Sequence, residues 1–370
     1  MSCAGVGYRE SKQTINQPEI KIAALLIPYS LAFKIVRNKK RDFHVSNIHL
    51  QNDVFYPHRT NIISELVRGK RVPGPIWHKR DYRLKFLLRS LLFWSSTHRM
   101  LEALSGRDDF DRLLTSQITL PSKTHRQYLM RGLNSNDRAD AIVSHYQWID
   151  SLTNTALAHA LTNPQEVPVV RFEAKNGEIY TVHASSAGKA EREGESTLWL
   201  HDNDNTLLAS LTFCVARSNG RMVLVIGGLQ GPRRHVSREV IKQATRACHG
   251  LFPKRVLMEV IFQLASRSNI SAIFAVSDEG HVFRALRYRL SKGRHFHASY
   301  DEFWEGLNGK KLSPFCWQLP LQMERKALEE IASKKRAEYR RRFALLDDIA
   351  ASVHARIVPA VVSGKIQTKI

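Results

Sequence analysis

Ser277, Asp278, Glu279 and His281 place a hydroxyl, two carboxylates and an imidazole at the end of a short apolar run, SAIFAV. A carboxylate beside an imidazole can act as a general base or orient a substrate amine. The competing structural role is capping, with Ser277 or Asp278 at the start of a helix over 279–290. Upstream, GGLQGPRR at 227–234 offers Gly227, Gly228 and Gly231, where the backbone can bend and approach a ligand closely. With Gln230, Arg233 and Arg234 it forms a candidate phosphate cradle, although such a segment between strand and helix also serves as a plain turn. A second cradle is HGLFPKR at 249–255, where Pro253 opens a helix and Lys254 and Arg255 add charge to its free N–H groups. These four cations, with Arg284, Arg287 and Arg289, are expected to converge as an anion patch, because guanidinium forks suit phosphate.

Glu259 stands on an apolar helix among Val256, Leu257, Val260 and Ile261. Burial there would raise its pKa and make it a candidate acid; the simpler expectation is the exposed side of that helix. Cys248 and His249 are sequence neighbours, which does not create nucleophile–base geometry. His295 and His297 alternate on an expected strand with no third ligand nearby, so no metal site is expected. Lys334, Lys335, Arg336, Arg340, Arg341 and Arg342 decorate a long helix and suit either nucleic acid, anionic lipid or plain solvation.

The elements that must position these residues follow from periodicity. From Asp81, leucines at 84, 87, 88, 91, 92, 101 and 104 recur at helical spacing with a wide apolar face, and Gly106 is a suitable stop. Arg80, Arg83, Lys85 and Arg89 mark the opposite face. Further helix is expected at 123–131 and 137–153. Near Val167 the period falls to two. VPVVRFEA and EIYTVHAS flank Asn176-Gly177, STLWLHD follows, and TLLASLTFCVA and MVLVIGG flank Asn219-Gly220, so 167–228 reads as an antiparallel meander. Helices near 237–249 and 253–268, a buried strand at 272–277, strands at HFHASY and PFCWQLP, and a helix from Met323 to about Arg356 complete the chain.

The fold class is therefore α/β (α+β), a largely antiparallel mixed sheet flanked by helices. The expected organisation is an extension at 1–60, a helical segment at 61–160, the α/β core at 161–322, a basic C-terminal helix at 323–356 and a tail at 357–370. Of 370 residues, 56 are Lys or Arg and 34 Asp or Glu, a net charge of +22 that favours polyanionic partners: nucleic acid, anionic lipid headgroups or cofactor phosphates. Cys3, Cys214, Cys248 and Cys316 form no metal or disulfide pattern, which suits a reducing cytoplasm. KIAALLIPYSLAF at 21–33 is too short to span a bilayer and is interrupted by Pro28, so it reads as a surface-lying or docking segment, in peripheral contact with an inner membrane, or as a poorly ordered extension, with a signal peptide as the alternative.

GGLQGPRR, ATRACHGLFPKRVL, IFAVSDEGHVFR, YDEFW, ERKALEEIASKKRAEYRRR and GKRVPGPIWHKRDYR together closely resemble the bacterial VirK/YbjX family over about residues 62–350. That resemblance implies a setting in virulence, envelope or stress responses of Gram-negative bacteria and brings no catalytic residues with it. The element order is also similar to the GNAT acyltransferase superfamily, whose loop and helix after the fourth strand cradle a coenzyme A pyrophosphate. It implies acyl-coenzyme A as the cofactor, bound along Gly228, Gln230, Gly231, Arg233, Arg234, Lys254 and Arg255, and puts Tyr288 where such enzymes hold a phenolic acid. The superfamily's Gln/Arg-x-x-Gly-x-Gly/Ala is absent: Gln230 is followed by Gly-Pro-Arg.

Overall fold

The computed structural model describes residues 62–233, 235–284 and 299–357. Helices α1 (Ile62–Arg68), α2 (Arg80–Leu92), α3 (Trp94–Ser105), α4 (Phe110–Ser116), α5 (Ser135–Ser151) and α6 (Thr155–Thr162) precede the sheet. The helix expected from Asp81 to Leu104 is broken at Phe93, whose φ of −114° and ψ of 38° leave the helical region. The wide apolar face is also only partly used. Phe86 is buried, but Leu84, Leu88, Leu91 and Leu92 are 56%, 58%, 60% and 75% exposed, so these leucines are surface. The helix expected at 123–131 is instead a 3-10 turn, Leu120–His125, followed by irregular chain. Lys123 turns inward there, and Leu129 adopts a φ of 60° while its N–H donates to Arg192 O. Asn134 and Asp137 form a capping box that starts α5.

Among the described residues the sheet has eight strands: β1 (Val167–Glu173), β2 (Ile179–Ser186), β3 (Ser196–His201), β4 (Leu207–Ser218), β5 (Arg221–Gln230), β6 (Ala272–Val276), β7 (Lys310–Ser313) and β8 (Cys316–Leu319). Their order is β1-β2-β3-β4-β5-β6-β8-β7. Every neighbouring pair is antiparallel except β5 and β6. Asn219 and Gly220, at φ 53° and 74°, form the β4–β5 turn, as Asn-Gly favours. The parallel pair requires a crossover, which α7 (Arg238–Ala247) and α8 (Pro253–Arg267) supply. Both α5 and α8 pack on β4. The C-terminal helix begins at Ser333, later than expected, and runs to Ile357, lying against α8 and β1. One continuous apolar core runs from Ile63 to Ile357. Among the described residues no helix is long and apolar enough to cross a membrane.

Two buried histidines give the core a pH dependence. Burial, then the charges of Arg89, Arg126 and Arg138, lowers His125 to about 4. Burial, then Lys123 and Arg107, lowers His145 to about 3. His145 Nδ1 accepts the Val215 N–H at 3.0 Å, a bond that needs the neutral ring. Both groups are depressed when folded, so the unfolded chain binds more protons below about pH 6.5. Stability should therefore fall as pH drops from about 6.5 toward 4, by about 1.4 kcal/mol per pH unit for each histidine. Urea midpoints across that range check this, and His145→Gln should flatten the slope.

Candidate active site at the carboxyl ends of the parallel pair

In open α/β sheets ligands bind outside the carboxyl ends of the strands, which makes the ends of the parallel pair the place to look for a site. β5 ends at Gln230 and β6 at Val276, with Ile226 paired to Ala275. The segment expected as a glycine-rich loop is the last part of β5. Its pairing with β4 skips Gly227, so that residue forms a bulge. Gly227 and Gly228 are needed for close approach rather than for a turn. A Cβ on Gly227 would overlap the Glu193 carbonyl, and one on Gly228 the Glu193 carboxylate.

That carboxylate reaches His281, Oε1 to Nε2 at 3.2 Å, and both residues are buried. The His281 ring lies 5.5 Å from the Tyr300 ring. Tyr300 opens the helix Tyr300–Glu305, and its hydroxyl accepts from Leu229 N–H at 3.1 Å and Gln230 Nε2 at 2.8 Å. Burial, with the charge of Glu193 next, raises the Tyr300 phenol well above its ordinary pKa, so it stays protonated. Asp278 accepts from Tyr300 N–H at 2.8 Å, and Asp301 accepts from Asp278 N–H at 3.0 Å. Asp278 thus caps the helix at 300; of the helix expected over 279–290 only 279–284 is described, ending in the 3-10 turn Val282–Arg284, and 285–290 lie outside the described residues. Ser277 donates to Pro314 O and accepts the Gly280 N–H.

The cations of α8 lean on the same Tyr300–Gly306 segment. Lys254 Nζ sits 5.8 Å from the Phe303 ring centroid, and Arg255 donates to Gly306 O at 2.7 Å. Burial lowers the pKa of both. Arg233 is exposed in the chain leaving β5, after Gly231. A carboxylate–imidazole pair, a neutral phenol and an amide therefore meet behind strand ends that are flanked by cations.

The family described as protein of unknown function (DUF535) matches residues 75–355 of this chain. The chain belongs to this family, which is the VirK/YbjX family. Uncharacterized protein YbjX of Escherichia coli K12 is 38% identical over 289 residues, covering 78% of this chain and 87% of the relative. Two uncharacterized proteins of Haemophilus influenzae are similar as well. One is 32% identical over 275 residues, covering 74% of this chain and 88% of the relative. The other is 25% identical over 272 residues, covering 73% and 89%.

In this DUF535 chain other sequence candidates fall elsewhere. Glu259 is buried, 3% exposed, where the exposed side was the simpler expectation. Burial raises its pKa, and its neighbours are Gln263, Arg325 and Asp347 on the side of the C-terminal helix. Cys248 is buried and its thiol is pushed up to about 12, unsuited to a nucleophile. Tyr288, Arg234, Arg287, Arg289, His295, His297 and the 21–33 segment lie outside the described residues. The tail cations divide. Arg336 and Arg342 bond backbone carbonyls at Ile331 and His249. Lys334 and Arg341 instead join Lys175, Arg246 and His249 around an open cleft of about 700 Å³.

Sequence reasoning missed Glu193 and Tyr300. Glu193 lies in an irregular stretch between β2 and β3 with no periodicity, and Tyr300 fell in an expected strand. The one available signal was the Gly227-Gly228 pair, which demands that some other chain pass close by.

Proposed function

We propose that this protein is a GNAT-like, acyl-coenzyme-A-dependent transferase acting at the carboxyl ends of β5 and β6. The observation that carries the reading is the parallel pair β5–β6 in a sheet whose other described pairs are antiparallel, with Gln230, Tyr300, His281 and Glu193 gathered at its ends. Phosphates of the donor would lie toward Arg233, Lys254 and Arg255. An amine or hydroxyl acceptor would approach from the Asp278–His281 side, where His281, oriented by Glu193, would take the proton of the acceptor's nitrogen or oxygen as that atom bonds the acyl carbon and coenzyme A departs as its thiolate. The resemblance of the chain supports a setting in envelope or stress adaptation. Acyl-coenzyme A of matching chain length should raise the melting temperature. Lys254→Gln with Arg255→Gln should reduce that rise while leaving the fold intact. A flat response from acetyl to long-chain donors would remove the reading.

A second reading, peripheral contact with an anionic lipid surface, rests on α2. Leu84, Leu88, Leu91 and Leu92 share one exposed face that continues to Trp94, bordered by exposed Lys79, Arg80 and Lys85. Such an amphipathic helix lies in the headgroup boundary with its apolar face inward and its cations toward anionic lipid. Vesicles containing phosphatidylglycerol should sediment the protein more than phosphatidylcholine vesicles, and Leu88→Glu with Leu91→Glu should abolish the difference. Equal sedimentation of this variant and the wild-type chain would show that α2 is not the contact.

A further inference from the structure

Three side chains that neither reading uses meet on the first three strands. Glu166 immediately precedes β1, His183 lies on β2 and His201 ends β3. The β2–β3 register pairs Thr181 with His201 and His183 with Trp199, so the two histidines are diagonal neighbours on one face. Their Nδ1 atoms are 3.2 Å apart, with the rings at 87° to one another. His201 Nε2 lies 3.5 Å from a Glu166 carboxylate oxygen. One donor atom from each of the three residues falls within 4.8 Å of the others.

We propose that Glu166, His183 and His201 form a binding site for a divalent late transition metal ion of the zinc or nickel class. Two imidazoles with one carboxylate are ligands that such ions favour, whereas magnesium and calcium favour sites made of oxygen. The spacing fits. With metal–nitrogen bonds of about 2.0–2.1 Å, nitrogens 3.2 Å apart subtend about 100° at the ion, close to tetrahedral. Without metal, one ring must hold a proton on Nδ1 to bond the other. That ring shifts the proton to Nε2 when the ion enters, so two neutral imidazoles ligate with no net proton loss. In His201, Nε2 is the atom that faces Glu166, so that carboxylate must swing past the ring edge to reach an ion held between the two Nδ1 atoms.

The three ligands arrive by different routes. His201 is fixed by burial at a strand end, His183 is half-buried one pair away, and Glu166 is an exposed arm that closes by side-chain rotation. The neighbouring Asp202 is outside the cluster, its Oδ1 held by the N–H groups of Asp204 and Thr206 in the next turn. It does not complete the shell, and the remaining position is left to water or an exchangeable ligand, as in sites that act on a substrate. Arg171 and Asp202 are the other charges that reach the two rings, and they oppose each other.

The experiment uses the full chain without an affinity tag. Zinc is titrated calorimetrically, and cobalt is added as a spectroscopic probe of the coordination geometry. A single equivalent of zinc should bind, and cobalt should give visible d–d bands of a nitrogen–oxygen site. His183→Gln, at a half-buried position, should weaken zinc about 100-fold, and Glu166→Gln about 10-fold. His159→Gln, on α6, should change nothing, and magnesium should not compete. His201→Gln is read only after circular dichroism shows it folded. Wild-type binding that is not saturable, or that His183→Gln leaves unchanged, overturns the proposal.

Discussion

Replacing Lys123 with methionine should cost about 3–5 kcal/mol of folding stability, a large share of what a domain of ordinary stability possesses. The ammonium group is 2% exposed and lies 2.5 Å from Glu195 Oε1, whose side chain is fully buried. The other carboxylate oxygen accepts from Gln117 Nε2 at 3.0 Å and Tyr146 OH at 2.8 Å, and Lys123 Nζ also sits 5.1 Å from the Tyr128 ring centroid. Methionine fills the stem's volume but leaves a buried carboxylate with no cation, and that uncompensated charge is the source of the loss. Lys123→Met combined with Glu195→Leu removes both charges and should recover most of it. The two single variants and the double variant form a cycle read by urea midpoints. If the single change costs under about 1 kcal/mol, water reaches this pair and the burial argument fails.

Gly227→Ala should be nearly as severe, about 3 kcal/mol or more, because the added methyl meets the Glu193 carbonyl, and backbone there cannot step aside. Gly228→Ala separates packing from chemistry. Its methyl meets the Glu193 side chain, which can rotate away, so the fold should survive while the carboxylate leaves His281. Thermal unfolding should place Gly228→Ala well above Gly227→Ala. In the transferase reading, Gly228→Ala should also lower turnover, because His281 loses the carboxylate that orients it. Equal melting temperatures for the two variants would mean that the segment through Glu193 is free to shift.

The meander was legible because its signals are local. Alternation in VPVVRFEA and EIYTVHAS, and Asn-Gly between apolar arms, report strand and turn without knowledge of distant chain. Ser237 and Pro253 likewise announced α7 and α8. What stayed hidden depends on partners far away in sequence. GGLQ reads as a loop unless one knows that Glu193 crosses it. Asp278 reads as the cap of the chain that follows it, yet it caps a helix that begins at Tyr300. The leucines of α2 have the spacing of a core face, and periodicity alone cannot say whether a face meets protein or something else. His183 and His201 carry no motif spacing; strand register brings them together.

The parallel β5–β6 junction also bears on how the chain is made. β1 to β5 form through turns between sequence neighbours, each closing a short loop at little entropic cost. β6 reaches β5 only after α7 and α8 have formed between Gln230 and Ala272. During synthesis the outer edge of β5, with its Val223–Ile226 run, therefore waits unpaired while the crossover emerges. An apolar strand edge left open is a template for pairing with another molecule. The nascent chain is most vulnerable to aggregation in that interval, and chaperone engagement should concentrate there.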